Sequence, residues 1–369
     1  MEAALIGIDA SRAARVERTG TELYSLHLIG AMLQAAPQQR FRLYTDRALP
    51  SALEAANAEP RVMPFPRLWT HVRLSAEMQV CPPDVLFVPA HVIPLIHPRA
   101  VVTIHDLGYL YFPQAHPLVA RLQLDLTTRW NARASVHIIA DSQATRDDLV
   151  RHYGTLPNKI TVAYPGRDES LRRVDDPAVL EGIRRRYEIR GDYLLYLGTL
   201  QPRKNLVRLV QAFAAFHASH PSFYLVLAGG KGWLYDEILN ATRRLGLEEL
   251  VLFTGRVSDD DKAALLSGAA ALVFPSLYEG FGFPVIEAMQ CGTPVICSNT
   301  SSLPEVAGDA ALLVDPLDVD ALAQAMIRLT GDVALRQSLV ERGYIQAQKF
   351  SWSACATRVL SVLESVMRT

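Results

Sequence analysis

Short apolar runs of strand length alternate with longer amphipathic segments through most of the chain: 4–8 then 21–34, 101–104 then 119–134, 137–140 then 143–153. That rhythm implies a parallel sheet with helices on both faces, an α/β fold. It stops at 164–178, where Pro165, Gly166, Pro177 and a run of charges interrupt the apolar pattern. It resumes with apolar runs at 193–197, 224–228, 251–253, 271–274, 295–297 and 311–314. At 369 residues the chain is also long for one core. Two Rossmann-like parallel-sheet domains are therefore predicted, residues 1–170 and 171–351, facing each other across a deep cleft. In such sheets ligands bind beyond the carboxyl ends of the strands, so function should lie in the loops after each run.

One of these loops carries two carboxylates eight positions apart. Glu279 and Glu287 bracket Gly280-Phe281-Gly282-Phe283-Pro284, a glycine-rich turn running into a helix. Pro284 suits the first helical position because its missing N–H would be unpaired there, and Gly292 closes the helix. Backbone N–H groups from Gly280 to Phe283 and the positive end of the helix suit an anion, and the flanking carboxylates suit hydroxyls. Together these groups fit a sugar attached to a phosphate. After the run at 193–197 comes Gly198-Thr199-Leu200-Gln201-Pro202-Arg203-Lys204, just before a helix at 205–217. Two adjacent cations and a helix N-terminus meet there, where a diphosphate could dock. Lysine is scarce, with five in the chain.

Other loops carry weaker signals. Gly229-Gly230-Lys231-Gly232 lacks the spacing of a phosphate loop and reads as a turn. Gly255-Arg256-Val257 follows a strand where backbone groups can meet a nucleobase. Ser258 ahead of Asp259, Asp260 and Asp261 reads as a helix cap rather than a metal site. In the first half, Gly20 between Thr19 and Thr21 would let backbone approach a phosphate, although the three-glycine dinucleotide fingerprint is absent. His105 ends the run at 101–104 and so should face the ligand side of its sheet.

Charge and cysteine usage exclude several classes. Lys plus Arg is 37 against 38 for Asp plus Glu, so no global field draws in nucleic acid. Cys81, Cys291, Cys297 and Cys355 have no metal-ligand spacing and read as reduced core thiols. The opening Met1 and Glu2 lack a basic signal-peptide head, and no apolar run approaches the length of about 18 residues needed to span a membrane. A cytoplasmic chain is expected. Arg12, Arg15 and Arg18, then Arg67, Trp69 and Arg73, then Arg121, Arg129, Trp130 and Arg133 could form a surface for an anionic acceptor or a peripheral contact at the inner face of the membrane, and ordinary solvated faces explain them equally well.

Assembled, these residues resemble the retaining nucleotide-sugar glycosyltransferases of the GT-B fold, the group that contains bacterial mannosyltransferases and relatives of sucrose and glycogen synthases. The matching motifs are 198–205, Gly255-Arg256-Val257, 275–287 and Gly292-Thr293-Pro294-Val295, followed by Gly308-Asp309 and Asp315-Pro316. The match covers nearly all of the second domain, and the first only through Gly20, His105-Asp106 and Asp141-Ser142. The resemblance implies that the second domain holds a GDP-, UDP- or ADP-sugar donor with no cofactor and no metal. It implies that Arg203 and Lys204, beside Thr199, neutralise the departing diphosphate. Val257 would meet the base, Glu287 the ribose, Glu279 the transferred hexose, and His105 the sugar from the first domain, with Gly20 closing on the diphosphate. Gly280, Phe281, Gly282 and Phe283 would hold phosphate or sugar oxygens. It further implies a final helix, 352–369, that crosses back to the first domain, and a glycan or lipid-linked glycan as acceptor. The alternatives are a non-catalytic nucleotide-sugar-binding module, which would keep Arg203 and Glu287 without needing His105, and a GT-B epimerase or phosphorylase.

Overall fold

The computed structural model describes residues 4–16, 20–90, 92–113 and 117–368, so Met1, Glu2, Arg18 and Thr19 lie outside the described residues. The chain forms two compact units, Met1–Gly166 with Phe350–Thr369, and Arg167–Lys349. In chain order the first unit contains β1 (Leu5–Asp9), α1 (Gly20–Ala35), β2 (Arg40–Thr45), β3 (Ala58–Val62), α2 (Ser75–Val80), β4 (Val85–Val88), β5 (Ala100–Ile104), α3 (Gly108–Tyr111), α4 (Leu118–Ala134), β6 (His137–Ala140), α5 (Gln143–Tyr153) and β7 (Ile160–Val162). The second contains α6 (Pro177–Arg186), β8 (Asp192–Leu197), α7 (Leu206–His217), β9 (Phe223–Ala228), α8 (Asp236–Arg244), β10 (Val251–Gly255), α9 (Asp259–Ser267), β11 (Ala271–Phe274), α10 (Phe283–Gln290), β12 (Val295–Ser298), α11 (Leu303–Ala307), β13 (Ala311–Val314), α12 (Val319–Gly331) and α13 (Val333–Gln348). The last helix, α14 (Trp352–Arg368), belongs to the first unit.

Both sheets are parallel throughout, in the orders β3-β2-β1-β4-β5-β6-β7 and β10-β9-β8-β11-β12-β13. Each order turns back on itself once, between β1 and β4 and between β8 and β11, which opens a crevice at the carboxyl ends of those strands. The central strands β4, β5 and β11 are buried at every residue, because helices cover both faces of the sheet. This is why their sequences read as continuous apolar runs rather than alternating ones. Helix starts follow the short polar residues: Ser142, Asp176, Ser258, Asp318 and Asp332 each accept a backbone N–H from the first turn they precede.

α14 packs on α1, where Trp352 stacks on His27 at 5.4 Å and meets the Tyr24 ring edge-on at 5.7 Å. Gly166 makes the return possible, since a Cβ there would lie 2.2 Å from the Trp352 backbone nitrogen. Two expectations are corrected. Cys81 is exposed, whereas the other three cysteines are buried. Trp69 and Trp130 are anchored inward rather than displayed: Trp69 Nε1 donates to the Met63 carbonyl at 2.8 Å and Trp130 Nε1 to that of Ile93 at 3.0 Å.

Candidate active site

The reversal point of the second sheet is where the cations and the Glu279 loop meet. Leaving β8, the chain passes Gly198 and Thr199 and forms a single 3-10 turn, Pro202–Lys204. Gly198 backs onto Gly229 so closely that a Cβ on Gly229 would lie 1.9 Å from the Gly198 carbonyl oxygen, and the Leu200 N–H reaches the Gly230 carbonyl at 2.9 Å. The segment expected to be a turn instead runs alongside the cation loop, with Lys231 bridged in parallel to Leu200 and the Gly232 N–H donating to the Leu200 carbonyl at 2.9 Å. Asn205 has left-handed backbone, φ 62°, so α7 begins one residue later than its apolar pattern suggests. Its amide donates to the carbonyls of Pro275 at 3.1 Å and Pro316 at 2.6 Å, tying three loops together.

Leaving β11, the Leu277 N–H donates to the Arg203 carbonyl at 2.9 Å, which brings the Glu279 carboxylate onto both cations. One oxygen takes Arg203 Nη1 at 3.1 Å, and the other takes Lys204 Nζ and the Ser276 hydroxyl. Burial alone would raise the Glu279 pKa, but Lys204, Arg203 and Ser276 outweigh it and pull the carboxyl down to about 2. Lys204 Nζ also lies 5.4 Å from the centre of the Phe274 ring. The loop is fixed from behind by Ser302, whose hydroxyl lies 3.0 Å from the Glu279 carbonyl and 2.7 Å from that of Phe281. The Glu279 N–H donates to Ser301 Oγ at 2.9 Å. Gly282, φ 115°, turns the chain into α10 with Pro284 in its first turn, and a Cβ at Gly282 would lie 2.7 Å from Leu303. Gly280 and Phe283 are half-buried and Phe281 is buried.

Glu287, one turn into α10, pairs with Lys262 of α9 at 2.8 Å, both side chains 15% exposed. Burial opposes the Lys262 charge, but Glu287 more than compensates and raises its pKa. Lys262 has no place in the sequence reading; its one signal is that lysine is rare here. Val257 is half-buried between β10 and α9, and Thr199 is exposed. Ser258 Oγ accepts the Asp261 N–H at 3.2 Å, and the Asp261 carboxylate is held by Arg186 and Tyr187. Among the described residues no three His, Cys, Asp or Glu side chains are grouped as a metal site requires. In the first unit, Gly20 is exposed at the start of α1, and His105 follows β5 with Nδ1 2.6 Å from Asp141 Oδ2.

Two doubly wound parallel-sheet units, with a cation pair and spaced glutamates at the reversal point of the second, have the architecture of the GT-B glycosyltransferases. Sucrose-phosphate synthase from Thermosynechococcus elongatus superposes over 99% of both chains with a TM-score of 0.77 at 21% identity. HepE of Anabaena, solved with UDP and glucose, covers 98% of this chain and is covered over 99% of its own, with a TM-score of 0.75 at 20% identity. The sequence carries the assignment further. Residues 183–346 match the family described as Glycosyl transferases group 1, and residues 26–171 match Glycosyltransferase Family 4. O-antigen chain mannosyltransferase B of Escherichia coli is 34% identical over 266 residues, 71% of this chain and 69% of that protein. The chain belongs to the group 1 glycosyltransferases.

Proposed function

We propose that this glycosyltransferase moves a hexose from a nucleotide diphosphate sugar to a glycan or lipid-linked glycan, with retention of anomeric configuration and without a metal. The observation that carries the reading is the joining of Arg203, Lys204 and Glu279 in one ion cluster beside the α10 N-terminus. A diphosphate docked against these cations would gain charge as its bond to the sugar breaks, and fixed cations at such a point lower the barrier. Thr199 and the backbone from Gly280 to Phe283 add donors for phosphate or sugar oxygens. Glu287, at the far end of α10's first turns, suits ribose hydroxyls, with Val257 beside the base. Mannose and a glycan acceptor are suggested by the O-antigen mannosyltransferase, and a nucleotide donor by HepE with UDP.

Retention is read as front-face attack, with the leaving phosphate taking the acceptor's proton. Glu279 is unsuited to be a nucleophile or acid because both its oxygens are held by cations or a hydroxyl. Metal independence follows from Arg203 and Lys204 supplying the charge, and from Asp261 being held by Arg186. Transfer run in excess EDTA with NMR of the first-formed product is expected to proceed and to show the donor's anomeric configuration. An inverted product, or activity that returns only with magnesium or manganese, would overturn the reading.

The acceptor's lipid would be met on α4. Among the described residues no helix is long and apolar enough to cross a membrane. Leu118, Val119, Leu122 and Leu126 are nevertheless 61%, 78%, 52% and 65% exposed along α4, beside Arg121, Arg129 and Arg133. Apolar side chains flanked by cations suit an anionic bilayer surface. The chain is expected to float with anionic vesicles and not with neutral ones. Replacing Leu122 and Leu126 with glutamine should cut that partitioning about tenfold or more, since burying one leucine contributes about 1.5 kcal/mol or more. Equal flotation of the double variant and the parent would remove α4 from this role.

A further inference from the structure

α4 ends just before β6 and α5 just before β7, so the carboxyl ends of both helices lie at the amino edge of the first sheet. Ligands of such sheets bind at the other edge. A cavity of about 210 Å³ nevertheless opens here, lined by Arg129 and Arg133 of α4, Tyr153 of α5, and Thr155, Leu156 and Lys159 from the segment before β7. Pockets for drug-sized ligands run to about 300–1,000 Å³, whereas one water takes up about 30 Å³. The space suits a phosphate-sized group and is too small for a nucleotide sugar.

The cavity is held in shape from within the first unit. Tyr153 Oη donates to Asp125 Oδ1 at 2.8 Å, and Arg129, paired with the same carboxylate at 2.8 Å, lies 5.4 Å from the centre of the Tyr153 ring. Lys159 Nζ donates to the Ala132 carbonyl at 2.7 Å, covering the negative end of α4. Asp125 answers Arg129, but neither exposed Arg133 nor half-buried Lys159 meets a carboxylate among the described residues, and no lining residue is acidic. Burial lowers the Lys159 pKa, whereas Glu287 restores the charge of Lys262. Two unanswered cations on one small cavity repel each other until an anion sits between them. Thr155 gives a second, independent sign: the residue is 6% exposed and its hydroxyl is buried with no hydrogen-bond partner. Such a group costs stability unless a ligand uses it.

A phosphate monoester carries a charge of about −1.5 to −2 near neutral pH and three strong acceptor oxygens. It would answer Arg133 and Lys159 and leave an oxygen for the Thr155 hydroxyl. Along α4, Leu118, Leu122, Leu126, Arg129 and Arg133 follow one another at spacings of four, four, three and four, so the exposed leucines and the cations of the cavity share one face of the helix. We propose that the cavity seats the terminal phosphate of a phosphomonoester lipid whose chains lie against the α4 leucines. This deepens the reading of α4 as a membrane-facing helix and rests on it for the lipid's chains; the phosphate site itself needs only the first unit.

Flotation with phosphatidylcholine vesicles containing phosphatidic acid is to be compared with flotation on vesicles containing phosphatidylglycerol at the same surface charge. A hydrogen bond to a charged group changes affinity about tenfold, so the protein is expected to favour phosphatidic acid by about that factor. Thr155→Val keeps the shape and every charge; it should lower the preference by about threefold or more and leave flotation with phosphatidylglycerol unchanged. Arg133→Gln, at an exposed position, should lower the preference as well, a readout that stands even if Thr155→Val does not fold. In amide NMR, glycerol 3-phosphate should move the Gly154, Thr155 and Leu156 signals saturably. Equal flotation of the parent on both vesicles would overturn the proposal, and so would a preference kept in full by both variants. Inorganic phosphate or glycerol 3-phosphate moving those signals without any lipid preference would overturn the lipid and leave a site for free phosphate. Failure of the α4 reading would appear separately, as flotation unchanged when Leu122 and Leu126 are replaced with glutamine while the phosphatidic acid preference still depends on Thr155; that would overturn the placement of the chains.

Discussion

Lys204→Met is expected to lower the stability of the Arg167–Lys349 unit by about 3 kcal/mol and to cut transfer about a hundredfold. Lys204 and Glu279 are 9% and 7% exposed, so removing the lysine leaves a nearly buried carboxylate with Arg203 as its remaining cation. Breaking a buried pair from one side costs far more than the pair contributes, because the other charge is stranded. Against a typical total of about 5–15 kcal/mol, that loss is easily seen as a shift in urea midpoint. Adding Glu279→Gln should recover most of the stability, since glutamine can keep the Arg203 and Ser276 contacts without a charge to solvate. It should recover none of the transfer, because the cation proposed to face a departing diphosphate is still missing. A single variant as stable as the parent would mean that Glu279 is solvated after all, and recovered transfer in the double variant would remove Lys204 from the chemistry.

The same cluster predicts a steep loss of stability in acid. Folding pulls the Glu279 carboxyl from its ordinary 4.5 to about 2, so the unfolded chain binds the proton first as pH falls. The stabilisation is fully present above about 4.5 and is lost progressively as pH drops towards about 2; the gap between the two values corresponds to about 3 kcal/mol. Asp46, Asp125 and Asp261 are also lowered, so the parent alone would not isolate the effect. The difference between parent and Glu279→Gln does isolate it. Urea unfolding across that interval should show the parent losing stability more steeply than the variant, and parallel curves would mean that the carboxyl is not depressed.

The strand rhythm was legible because the central strands are buried on both faces and must be apolar at consecutive positions, as β11 is. The α10 turn was legible because Gly282 and Pro284 act through their own backbones. What could not be read depends on partners far along the chain. Nothing near Glu279 announces that its charge is taken by residues some 75 positions earlier, nor does Glu287 announce Lys262. The tryptophans at 69 and 130 looked like surface residues because arginines surround them in sequence. Their indole N–H groups reach buried carbonyls of the 63 and 93 segments, a contact that composition does not encode. Asn205 misled by one residue, because an apolar helical period says nothing about positive φ at the position before it.

The return of α14 to α1 orders events during synthesis. The helix buries Trp352, Cys355, Val359 and Leu363, so it is part of the first unit's core and not an appendage. It leaves the ribosome after all of Arg167–Lys349, which means that the unit begun first is completed last. Until then the α1 face waits uncovered through the translation of roughly half the chain, while the second unit has every residue it needs. The contact between Gly166 and Trp352 therefore closes a loop of long sequence separation, the slow kind of step in folding. The nascent chain would depend on chaperones chiefly for its amino-terminal half, and a ribosome stalled after Lys349 but within α14 would hold a finished second unit tethered to an unfinished first one.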